Sequence, residues 1–133
     1  MDRDMKDAFK NGEDMEVELP SGRIIHYFDP DAKSACRLRG GFDRKFTYGA
    51  KLVENLVQAT ARDIFADGYV RVAESDMFDT CWTVHDEIIA EVDEDVPDDE
   101  ATREIEKIMS TPPDWAEDIP LDAEAHASYK YDK

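Results

Sequence analysis

Apolar and polar positions alternate from Val17 to Phe28, interrupted by Pro20-Ser21-Gly22. Alternation is the period of a half-buried strand, and Pro-Ser-Gly is turn chemistry, so two antiparallel strands are predicted here. Two further short strands are predicted over Ala35–Leu38 and Lys45–Tyr48, on either side of Gly40-Gly41. Residues 17–48 therefore read as a small antiparallel sheet with turns near Gly22, Pro30 and Gly40. The preceding residues, 1–16, are a polar lead-in, with one short helix expected near Met5–Lys10.

From residue 50 to 74 the period changes to that of a helix. Val53, Val57, Thr60 and Ile64 form one apolar stripe, with Leu56, Ala61 and Phe65 beside it. Lys51, Asn55, Gln58 and Arg62 recur at helical spacing on the opposite stripe. Gly68 is a candidate end of this helix, because glycine is about 1 kcal/mol worse than alanine in a helix interior. Thr80–Val84 and Glu87–Val92 are apolar runs joined at His85-Asp86, which predicts a hairpin with a polar tip. Asp98 is the expected N-cap of a second helix, with an apolar stripe at Ala101, Ile105, Ile108 and Met109 and a stop at Pro112-Pro113. A last strand is expected over Leu121–Ala125. The order of small sheet, long helix, hairpin, helix and strand is α+β. A chain of 133 residues, 41% of them hydrophobic, suggests one domain with one modest core.

No run of apolar residues reaches the length of about 18 that a membrane span requires. The charged N-terminus has no apolar region of signal-peptide type, and the two cysteines, Cys36 and Cys81, make no disulfide framework. A reducing cytoplasm is the expected location. Cys36, Cys81, Trp82 and Trp115 are read as packing residues, and His26 and His126 as incidental.

The formal charge of −17 argues against a simple nucleic-acid clamp, but the charge is unevenly spread. Between Ala32 and Val53, six basic residues (Lys33, Arg37, Arg39, Arg44, Lys45 and Lys51) face one acid, Asp43. Between Asp86 and Glu124, sixteen acids face Arg103 and Lys107 alone. A basic face on an acidic body can still make local phosphate contacts.

The run Val84-His85-Asp86-Glu87 carries the candidate chemistry. By itself it is also what an ordinary polar turn looks like. Two carboxylates and an imidazole between apolar strands would crowd charge at the tip unless a cation neutralised it. Hard carboxylate oxygens suit Mg²⁺. A hairpin of this kind would be half of a two-metal site, the other half needing a carboxylate from elsewhere.

Five blocks in order resemble bacteriophage-type family A (DNA polymerase I-like) DNA polymerases. They are Leu19-Pro20-Ser21-Gly22-Arg23; Thr47 to Ala59; Ala61-Arg62-Asp63; Val84-His85-Asp86-Glu87; and the tail from Thr111 through Ile119-Pro120-Leu121 to Tyr131 and Lys133. The resemblance covers roughly residues 17–133 and implies part of a polymerase palm. It implies that Asp86 is the motif C aspartate that binds the catalytic Mg²⁺, with Glu87 as the auxiliary carboxylate. His85 would contact the primer terminus. Gln58, with Asn55, Lys51 and Arg62, would touch the minor groove of primer-template DNA. Arg62 has a second reading, as the partner of a neighbouring acid such as Asp63 or Glu54. Arg37, Arg39, Arg44 and Lys45 would suit phosphate contacts, or would only balance an acidic molecule.

The chain also departs from that family. No segment before Leu19 resembles the motif A strand or the fingers helix, so one metal-binding aspartate stands where two are needed. The isolated chain is therefore expected to be inactive and to need a chain carrying the missing motifs. The hairpin is expected to keep an unpaired apolar edge, open to a partner or to self-association. The alternative is a stand-alone module that binds DNA or a replication protein without catalysis.

Overall fold

The computed structural model describes residues 14–28, 35–38, 45–46 and 48–131, with the backbone alone at 28, 35–38 and 45–46. The elements are β1 (Met15–Glu18), β2 (Ile24–Phe28), β3 (Ala35–Leu38), β4 (Lys45–Phe46), α1 (Gly49–Ala73), β5 (Asp79–Val84), β6 (Glu87–Glu91) and α2 (Asp98–Met109). A short 3₁₀ turn covers Asp114–Ala116. The fold is α+β, as the pattern predicts. The expected helix at Met5–Lys10 and the turns at Pro30 and Gly40-Gly41 lie outside the described residues.

The chain forms two compact units, residues 1–61 and 62–133, with α1 running from one into the other. In the first, β1 to β4 are antiparallel in sequential order. Glu18 pairs with Ile24, and the loop between them closes through Leu19 N–H to the Arg23 carbonyl and Gly22 N–H to the Leu19 carbonyl, both 2.8 Å. Gly22 has φ of +83°, which L side chains rarely adopt, so glycine is what the turn needs. Tyr27, 1% exposed, packs with Met15 and Leu52.

Leu52 shows that the buried stripe of α1 is not the expected one. Val53 and Val57 are 52% and 63% exposed, whereas Leu52 is buried and Leu56 and Ala59 are half-buried. Neighbouring helix positions are 100° apart, so Leu52/Leu56 and Val53/Val57 are adjacent apolar ridges. The sheet's cluster takes Leu52.

In the second unit, Val72, Phe78 and Ala101 form a core joined by Ile88, Ala90, Ile105, Ile108 and Met109. The described chain thus has two small hydrophobic clusters where one was expected. Helix α1 passes through Gly68 without ending there, because Gly68 lets Met109 of α2 pack against the helix. Arg71 donates to the carbonyls of Ile108 (3.0 Å) and Thr111 (2.6 Å), tying α1 to the end of α2, where the Ile108 carbonyl also accepts from Thr111 N–H.

Two further expectations are corrected. Asp98 is the first residue of α2, and the N-cap is Pro97, which makes no side-chain cap. Asp98, Asp99 and Glu100 instead place negative charge against the positive end of the helix dipole. No strand forms at Leu121–Ala125. The Asp122 side chain accepts from Ala123 N–H (3.1 Å) and Glu106 Oε1 of α2 from Ala125 N–H (2.9 Å), so side-chain carboxylates take two of the donors that a neighbouring strand would use.

Candidate functional site

Strands β5 and β6 pair from Asp79 opposite Glu91 to Val84 opposite Glu87, with a bulge between Thr80 and Trp82. His85 and Asp86 are the whole loop. Among the described non-glycine residues, His85 is the one with positive φ, at +56°. Positive φ at the first loop position alone is the pattern of a type II′ hairpin turn, where glycine is usual. Holding histidine there costs roughly 1 kcal/mol, so surrounding contacts must fix it.

One such contact comes from α1. Arg62 Nη1 donates to the His85 carbonyl at 3.4 Å, and the same guanidinium stands 5.0 Å from the centre of the Phe65 ring. On the other side of the turn, Glu87 Oε2 accepts from the Tyr131 hydroxyl at 3.4 Å. His85 and Asp86 are exposed and Glu87 is half-buried. The expected crowding of charge between buried strands therefore does not occur. Only one face of the hairpin packs on the core, and water reaches the tip.

The predicted residues separate into two sets. Arg62, His85, Asp86 and Glu87 belong to the second unit, where Arg62 meets the turn. Lys51, Asn55 and Gln58 belong to the first. Lys51 pairs with Glu54 at 2.9 Å, and the hydrogen bond and charge of Glu54 raise the Lys51 pKa above its ordinary value. Asn55 is half-buried and donates to the Tyr27 hydroxyl at 3.5 Å, while Gln58 is exposed. Arg37 lies in β3 and Lys45 in β4. Arg39 and Arg44 lie outside the described residues.

Asp86 and Glu87 offer hard oxygen donors at a solvated tip, which suits a cation that keeps waters and phosphates in its shell. Among the described residues, no group of three His, Cys, Asp or Glu side chains could together hold a metal. The donors present fit a partial site.

Two residues differ from their predicted packing role. Trp82 is 69% exposed and Cys81 is an exposed free thiol. Trp82 stands opposite Ile89, on the face turned away from the core partners Ile88 and Ala90. Cys81 and Trp82, with Phe65 and Tyr69 of α1, line an open groove along β5, which has no strand on its other side among the described residues. The alternation Cys81-Trp82-Thr83-Val84 gave no sign of which face would be covered.

The charge divides with the units. Residues 62–133 hold 22 acids against 6 basic residues, a net −16, while residues 1–61 are nearly neutral at −1.

No protein-family model and no solved structure matches the chain. The DNA polymerase of Bacillus phage SP02 is 37% identical to it over 130 residues, covering 88% of this chain. The chain spans about one fifth (19%) of that polymerase's length. Over most of its length, then, the chain is similar to a segment of a phage DNA polymerase.

Proposed function

We propose that the chain is the C-terminal palm segment of a family A DNA polymerase and supplies Asp86 of motif C to template-directed DNA synthesis. The observation that carries this reading is the 37% identity to a phage polymerase along nearly the whole chain. The solvated two-residue tip holding Asp86 supports it, because a metal-binding carboxylate must be reachable by substrate phosphates.

In the reaction, the primer 3′ oxygen attacks the α-phosphorus of a deoxynucleoside triphosphate and pyrophosphate leaves. When bound, Mg²⁺ would activate that oxygen and offset the charge gathering on the phosphates. Asp86 would be its principal ligand from this chain, with Glu87 auxiliary. His85 would contact the primer terminus. Gln58 is the best candidate for minor-groove contact, being exposed, with Asn55 and Lys51 beside it on the helix. Minor-groove acceptors are shared by all correct pairs, so an amide can sense pairing without reading sequence. Arg37, Arg39, Arg44 and Lys45 would meet phosphates. The near-neutral first unit supports this placing of DNA contacts, since the second unit's net −16 repels a polyanion.

A second carboxylate and a triphosphate pocket would come from a chain carrying motif A and the fingers, whether separate from this segment or continuous with it. That chain would also cover Trp82 and the free side of β5. Without it, a second copy of the chain is the alternative cover.

The test is primer extension. The purified chain alone should extend nothing. The SP02 polymerase, with its matching segment replaced by this chain, should extend a primer in Mg²⁺. Extension by the isolated chain, or an inert chimera that folds and binds DNA, would count against the reading. The latter result would favour a non-catalytic DNA-binding module.

A further inference from the structure

We infer that Arg62 is a positioning residue whose guanidinium holds the His85-Asp86 turn in the conformation that aims Asp86. The inference rests on reading Asp86 as the metal-binding carboxylate.

The turn needs an external restraint. His85 sits at φ of +56°, a region that L residues occupy when surrounding structure over-determines them. Return of His85 to negative φ would have to be compensated within the few torsions of a two-residue loop, chiefly ψ of His85 and φ and ψ of Asp86, so the His85-Asp86 peptide would turn and re-aim the Asp86 side chain. The His85 carbonyl belongs to that peptide, and Arg62 Nη1 donates to it at 3.4 Å.

One long bond from a free side chain would restrain little. Arg62 is not free, because its guanidinium lies over the Phe65 ring, 5.0 Å from the centroid. Phe65 is three residues further along α1, so ring and guanidinium share one helix face. Stacking below and the carbonyl ahead fix the planar group at two points. A lysine ammonium could reach the carbonyl but lacks the planar face for stacking. Arg62 touches the backbone of the turn, so its effect on chemistry would pass through Asp86.

The test uses NMR of the full chain, comparing parent, Arg62→Ala and Arg62→Lys. Positive φ gives a strong intraresidue amide–Hα cross-peak at His85. That peak should be strong in the parent, weaken in Arg62→Ala and recover in part in Arg62→Lys. The signals of Val72 and Ala101 should stay in place. An undiminished His85 peak in Arg62→Ala would overturn the proposal. A second arm adds Mn²⁺ alone and follows broadening of the Asp86 and Glu87 amides. Arg62→Ala should need about three- to tenfold more Mn²⁺ for equal broadening. Equal sensitivity in both proteins would also overturn the proposal. Failure of Mn²⁺ to broaden these amides in the parent would sink the metal reading, while the His85 peak would still judge the turn. Should Arg62→Ala not fold, Phe65→Leu, which removes the stacking face, must weaken the same peak.

Discussion

A Cβ placed on Gly68 would lie 2.9 Å from Sδ of Met109, so the bare backbone at position 68 gives the Met109 side chain of α2 its place against α1. Two effects oppose each other in Gly68→Ala. Alanine favours the helix by about 1 kcal/mol, and Met109 must move a few tenths of an ångström. Because the atom met is the far end of a flexible side chain, the two should nearly cancel, within ~1 kcal/mol by urea unfolding. Gly68→Leu cannot be absorbed this way. It should cost about 1–3 kcal/mol and loosen the packing of Val72, read as faster amide exchange there.

Arg71 is the second fastener of α2. It donates to the Ile108 and Thr111 carbonyls and pairs with Asp67 at 2.9 Å, while its buried Nε has no hydrogen-bond partner among the described residues. Arg71→Ala should lower stability by about 1.5–3 kcal/mol, because it removes a charged donor from two carbonyls and the pair with Asp67. Arg71→Lys should recover only part, since one ammonium cannot span both carbonyls and Asp67. Thermal unfolding of the three proteins checks the order parent, lysine, alanine.

Trp82 should behave as a surface residue in the isolated chain. Trp82→Lys is expected to change stability by less than ~0.5 kcal/mol, as for other exposed positions. It should nevertheless weaken any association through β5 by about tenfold or more, because a buried aromatic anchor would become a charge. Sedimentation at several concentrations reads this directly. Unchanged association would place the contact elsewhere.

Much of this architecture is legible in the sequence because its signals are local. Pro20-Ser21-Gly22 encodes the first turn, the polar pair His85-Asp86 marks the hairpin tip, and residues 50–74 declare a helix by period. What was not legible depends on partners distant in the chain. Leu52/Leu56 and Val53/Val57 are equally apolar, and only the sheet decides between them. Gly68 reads as a helix breaker until Met109 stands beside it. Leu121–Ala125 has a strand's composition, but Glu106 of α2 takes the Ala125 donor and Asp122 the Ala123 donor. At the candidate site, the tip residues could be named from their pattern and from the family resemblance. The Arg62 contact to a backbone carbonyl leaves no mark in residue type. Even its alternative reading looked to acids, and Glu54 is occupied by Lys51.

Lys51 gives a test of sign. Glu54 raises its pKa, so the folded state binds the proton more tightly than the unfolded chain. Its stabilising effect is present below the ordinary lysine value of about 10.5 and disappears as pH rises through the raised folded value. Lys51→Met should therefore differ slightly from the parent at neutral pH and match it in strong alkali, by denaturant unfolding across pH. Both side chains stay open to water, 46% and 53% exposed, so the neutral-pH difference should shrink further in high salt.

The most direct measurement is primer extension by the SP02 chimera carrying this segment, with Asp86 intact and with Asp86→Ala. If Asp86 holds the catalytic metal, the substitution should reduce extension by about a thousandfold or more while leaving primer-template binding within a few-fold of the parent chimera. Extension that survives Asp86→Ala at near-parental rate would contradict the assignment of Asp86.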